Sequence, residues 1–156
     1  MVTELYTVKI KIELTGKHYQ QYIPCPTILV DNHVVRPSDP LIGTQLVEFG
    51  LDLPPGDHDL TIVFDNKQYI DYPAEHDMAV IINSLRFQNI EEDFRIYGKY
   101  YPEYPEPWAT EQRQNNFDLP KYQYADYLGW NGRWHLQFRT PIYSWIHKTL
   151  NLGWII

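Results

Sequence analysis

The sequence is poor in the residues and patterns that carry most protein chemistry. Cys25 is its one cysteine, which excludes an intrachain disulfide framework. Set between two prolines in "IPCPT" with no histidine beside it, it reads as a small buried hydrophobe rather than a nucleophile. The six histidines, His18, His33, His58, His76, His135 and His147, are scattered, and none forms the HxH or HExxH spacing of a zinc site. GxSxG, GxGxxG and the P-loop pattern are missing as well, so no enzymatic activity is expected. No run of about 18 apolar residues occurs, so no membrane-spanning helix is expected. The start, "MVTELYTVKIKIEL", alternates and carries charges throughout; no secretory signal is expected there. Basic charge is short too: 13 Lys and Arg stand against 20 Asp and Glu, a net charge of −7. That balance argues against a surface built for nucleic acid or an anionic membrane, while leaving room for a local basic patch.

What the chain does contain is a core and many rings. Its 156 residues are 44% hydrophobic and 15% aromatic, enough for one domain with a real interior. Alternation of period two marks the strands. In "LYTVKIKIEL", Tyr6, Val8, Ile10 and Ile12 share one face and Lys9, Lys11 and Glu13 the other. In "LPPGDHDLTIVFDN", a Pro54-Pro55-Gly56 turn precedes inward Leu60, Ile62 and Phe64. In "RWHLQFRT", Trp134, Leu136 and Phe138 alternate with His135, Gln137 and Arg139, after an Asn131-Gly132 hairpin signal. Further strands are expected at 27–30, just after the Asp31-Asn32 turn, at 45–51, at 79–87, and at "FRIY" (94–97), with regular texture resuming at 122–128. Eight or nine short strands without a convincing long helix indicate an all-β, antiparallel β-sandwich of jelly-roll type, spanning 1–156 as one domain.

Twelve of the 24 aromatics fall within 94–134, about twice an even spread, and place recognition in that half of the chain. "YYPEYPEPWATEQ" holds its rings beside prolines, which disfavour the interior of a helix or sheet; one helical turn is expected at "ATEQRQ". Tyr101, Tyr104 and Trp108 are the candidate platform, because flat rings with polar edges suit sugar stacking and protein interfaces alike. Sealing the end of the sandwich is the competing role. Asp52, Asp57, Asp59 and Asp65 suggest calcium, yet their spacing matches no EF-hand and turn carboxylates are ordinarily solvated. The end, "PIYSWIHKTLNLGWII", is apolar where most domains finish polar. It reads as a docking segment (about 141–156), with Trp145, Leu152, Trp154, Ile155 and Ile156 at an assembly interface.

Three stretches carry resemblances. "LPPGDHDLTIVFDNK" resembles the turn and strand of β-sandwich carbohydrate-binding modules of the xylan-binding kind. "KYYPEYPEPWATEQ" and "YLGWNGRWHLQFRTPIYSWIHKTLNLGWII" look like segments of small virion proteins of tailed phages, marine and cyanobacterial ones included. The resemblance implies a non-catalytic structural protein of the virion, made in the host cytoplasm and placed in a tail, baseplate, fibre or capsid-decorating position. Its partners would be other virion proteins or copies of itself, with a host glycan as a further partner. No cofactor is expected; calcium is implied only by analogy, and no ligand residue carries over. The alternative reading is a carbohydrate-binding module stacking a glycan on Tyr101, Tyr104 and Trp108, and a third is a hydrolase of cell-wall sugars.

Overall fold

Alternating side chains become two facing sheets in the computed structural model, which describes residues 4–151. Strand β1 (Tyr6–Lys17) buries Val8, Ile10, Ile12 and Leu14 on one face. It lies between β4 (Gly43–Leu53) and β6 (Ala79–Phe87), and the two-residue β8 (Tyr127–Leu128) completes a four-stranded sheet in the order β4-β1-β6-β8. The second sheet is five-stranded, β3-β2-β5-β9-β7, built from β2 (Thr27–Val30), β3 (His33–Arg36), β5 (Gly56–Phe64), β7 (Lys99–Pro102) and β9 (Gly132–Thr140). All pairings are antiparallel, so the all-β sandwich expected from the alternation is what forms.

The two inner faces supply the core. Leu60, Ile62 and Phe64 of β5 and Trp134, Leu136 and Phe138 of β9 face Val80, Ile82, Leu85 and Phe87 of β6, all buried. Strand β6 turns both even and odd positions inward because its register against β1 shifts at Glu13/Leu14. The extra residue restores the inward face for Leu85 and Phe87, and Asn83 beside the bulge donates to Thr15 Oγ1 at 2.6 Å. Burying each such aliphatic or phenyl group contributes about 1.5–3 kcal/mol before entropy is subtracted.

Tight turns are fewer than the sequence signals imply. β2 and β3 form a hairpin through Asp31 and Asn32, both at positive φ (49° and 67°), as a two-residue reversal requires. The Pro54-Pro55-Gly56 turn instead carries the chain from β4 in one sheet to β5 in the other. Likewise Asn131-Gly132 is not a hairpin: β8 and β9 belong to different sheets, and Asn131 ties the corner by accepting from Lys67 N at 2.7 Å.

Three further expectations are corrected. "FRIY" is no strand; Arg95–Tyr97 makes a 3-10 turn and the strand starts at Lys99. The proline-rich run is not wholly irregular, since Lys99–Pro102 is the edge strand β7 and α1 (Trp108–Gln114) follows; Pro102 is tolerated at a strand end. Of 122–128, only Tyr127–Leu128 forms a strand, with one isolated bridge at Gln123.

The C-terminal stretch contains helix α2 (Ile142–Leu150), ended by Asn151 in the left-handed conformation at φ 52°. Ile142, Trp145 and Ile146 sit at i, i+3, i+4 and form its inward stripe. Trp145, assigned above to an assembly interface, is half-buried, its ring 5.3 Å from Phe87, 5.4 Å from Phe94 and 6.2 Å from Phe138. Its packing surface is therefore this chain's own core. Leu152, Trp154, Ile155 and Ile156 lie outside the described residues.

Candidate ligand groove

The outer face of the five-stranded sheet follows from its inner one. Tyr100 and Trp134 are directly opposite each other and buried. Their neighbours on β7 and β9 must therefore point outward: Lys99 opposite His135, and Tyr101 opposite Arg133. On the other side of β9, Asp59 of β5 stands opposite Gln137, and Thr61 opposite His135. All of these chains except Thr61, which is buried, line a groove of about 810 Å³ together with Tyr97, Glu103 and Lys121.

His135 is at the centre. Its Nδ1 lies 3.0 Å from Thr61 Oγ1 and 3.2 Å from Asp59 Oδ2, contacts that orient the ring and, among the described residues, leave Nε2 without a protein partner. The Tyr101 ring meets it edge-on, 5.7 Å away at 75°. Tyr101 also lies 5.7 Å from Tyr122. The segment carrying Tyr122 is held beside β7 by reciprocal Tyr100–Gln123 backbone bonds of 2.7 and 2.8 Å. Lys99 Nζ then rests 4.9 Å from the Tyr122 centroid and 5.9 Å from that of Tyr124. The result is a partly exposed phenol ring surrounded by donors and acceptors from three neighbouring strands.

Tyr104 and Trp108 lie elsewhere. They cluster with Trp130, at ring separations of 5.2 Å (Tyr104–Trp130), 6.1 Å (Trp108–Trp130) and 6.3 Å (Tyr104–Trp108). Tyr104 is anchored by donating to the Pro120 carbonyl at 2.7 Å. Trp108 and Trp130 edge a shallower recess of about 440 Å³ with Tyr69, Ile70 and Tyr72. The structure thus divides the candidate platform, bringing Tyr104 and Trp108 together and putting Tyr101 in the other site. In the wall of the recess, Lys67 Nζ donates to Asp77 Oδ1 at 2.7 Å and to the Gly129 carbonyl at 2.6 Å. Tyr127 donates to Asp77 Oδ2 at 2.5 Å, and burial followed by Asp77 raises the Tyr127 phenol well above its ordinary range.

The acidic residues are dispersed. Asp52 accepts from the Thr7 hydroxyl, Asp57 from Arg139 and Asp59 sits with His135. Among the described residues, no three His, Cys, Asp or Glu side chains group as metal ligands. Sequence reasoning missed Lys99, Lys121 and Arg133 as site residues, and read Asp59 as a solvated turn carboxylate. The alternation of "RWHLQFRT" already placed His135 and Gln137 outward; nothing local showed that β7 would lie alongside them.

No protein-family model, curated protein or solved structure matches the chain.

Proposed function

We propose that the chain is a non-catalytic glycan-binding β-sandwich whose ligand lies in the groove over Tyr101 and His135. One observation carries this reading: a half-buried tyrosine ring set among Asp59, Arg133, His135 and Gln137 on adjacent strands. A sugar presents an apolar C–H face and a rim of hydroxyls. Such a ligand calls for a ring to stack on, with planar polar side chains at its edge. Because the groove is built on strands, its polar groups keep their spacing without ligand-induced ordering. Tyr101→Ala is expected to weaken binding about fivefold to tenfold, the value of one aromatic contact, in calorimetric titration with glycans selected on an array. Trp108→Ala, altering the other site, should leave that affinity unchanged. Failure to bind any glycan, or sensitivity to Trp108→Ala alone, would remove the reading.

A second reading, of a subunit in a larger assembly such as a phage tail, fibre or capsid decoration, is favoured by strand β4. Its eleven residues pair with β1 on one side and with no strand on the other among the described residues. Leu46 on this strand is 54% exposed. An open edge of that length is a template for a neighbouring strand. Light scattering should give a multiple of the 18.6 kDa chain mass, reduced to one copy by Leu46→Lys. A monomer at every concentration would count against the assembly reading.

A further inference from the structure

The groove carries charge of the opposite sign to the chain. Over the whole sequence the net charge is −7, and Lys11, Lys67, Arg95, Arg113 and Arg139 are each ion-paired with a carboxylate. Lys99, Lys121 and Arg133 have no such pair among the described residues, a condition they share with Lys9, Lys17, Arg36, Arg86 and Lys148; what sets the three apart is their common place. All three line the 810 Å³ groove. The Lys99 ammonium is steadied by the Tyr122 face, which positions the cation without neutralising it. Two carboxylates share the groove, Asp59 and Glu103. Asp59 is already engaged by His135. Three cations against two carboxylates leave a local surplus of +1 when all are ionised.

Cations gathered into one concavity of an acidic protein favour an anionic ligand, since the like charges held together raise a local positive potential that a ligand's charge relieves. Arg133 offers the planar fork that matches a carboxylate or an oxyanion ester, and the two lysines act as point charges. Tyr101 meanwhile offers a ring face that a bare anion does not use. We infer that the groove selects an acidic saccharide, a sugar bearing a carboxylate, sulfate or phosphate. This rests on the glycan reading above and specifies its ligand class. A long phosphodiester strand is disfavoured by the net negative charge of the rest of the surface.

The test compares four probes of matched length on the full chain at low and at physiological salt. They are an oligogalacturonate, a chondroitin sulfate oligosaccharide, a neutral xylo-oligosaccharide and a single-stranded oligonucleotide. At least one acidic saccharide is expected to bind about tenfold tighter than the neutral one, the product of a few exposed charge contacts, and to weaken as salt rises. The uronate and sulfate arms separate the two anion sources. Lys121→Gln/Arg133→Gln should abolish the preference; both side chains are exposed, where substitutions ordinarily change stability little. Arg86→Gln, exposed on the outer face of the other sheet, should keep it. Equal affinity for acidic and neutral saccharides would overturn the charge selection and leave glycan binding standing. Loss of preference in Arg86→Gln as well would overturn the groove as its source. No binding to any saccharide would overturn both readings, and tightest binding to the oligonucleotide would replace the saccharide with a nucleic acid.

Discussion

Gly98→Ala is expected to cost about 3 kcal/mol or more of stability, because it overpacks a filled core, and to lower the unfolding midpoint by about 10 °C. The added Cβ would stand 1.9 Å from Trp134 Cζ2 and 2.2 Å from Cε2. Backbone strain is not the cause, as Gly98 has an ordinary extended conformation at φ −80° and ψ 152°. The indole has no room to retreat, since Trp134 is fully buried between the sheets. Gly98 immediately precedes β7, so any relief of the clash displaces Lys99 and Tyr101 as well. Thermal denaturation and glycan titration of the same variant should therefore fail together. Gly98→Ala/Trp134→Leu should lose less than the sum of its single changes, because the smaller side chain accommodates the methyl. A Gly98→Ala protein within about 0.5 kcal/mol of the parent, the range of inert surface changes, would show that this close approach is not rigid.

Asp77→Asn should be nearly as damaging, at about 2–3 kcal/mol, somewhat below the cost of breaking a fully buried pair. The Lys67 side chain is 8% exposed and that of Asp77 is 23%. Removing the carboxylate strands an ammonium away from water, whereas Lys67→Met leaves Asp77 its bonds from Tyr127 and from Met78 N at 2.8 Å. Asp77→Asn should therefore be the worse of the two in denaturant titrations; the reverse order would refute the assignment of Lys67 as the more buried partner. The pair also governs acid stability. Burial by itself pushes the Asp77 carboxyl upward, but the bonds from Lys67 and Tyr127 outweigh it and hold it below the usual 3.8. A carboxyl depressed in the folded state binds its proton more weakly there than in the unfolded chain. Its contribution is therefore complete at neutral pH, begins to fall as pH drops toward 3.8, and is lost through the lower folded value. The parent should lose stability below about pH 4 more steeply than Asp77→Asn, whose amide does not titrate.

The inward faces of β1, β5 and β9 were legible in the sequence because a strand's two-residue period is local, and burial writes it directly into the order of side chains. Helix α2 was legible in principle: Ile142, Trp145 and Ile146 carry the helical spacing, and Pro141 and Asn151 bracket it. Apolar content at the chain end suggested docking instead, and for Trp145 the described packing is internal. The groove itself was half legible. Alternation separated His135 and Gln137 from Trp134 and Leu136, and aromatic crowding pointed to the region around Tyr101.

Which strands become neighbours is decided by closure of the two sheets over their shared core, and no local pattern encodes it. Tyr101 and Trp108 are seven positions apart, yet Tyr101 faces outward from β7 while Trp108 begins α1 beside Trp130. Lys99 and Arg133 are distant in the chain, yet the β7–β9 register places them on adjacent positions of one face. The sequence by itself determined that the protein is a β-sandwich with half of its aromatic residues crowded between 94 and 134. Only the tertiary structure decided that a single tyrosine of the proposed platform would share a groove with three unpaired cations, because long-range strand pairing, and not spacing along the chain, sets which side chains meet.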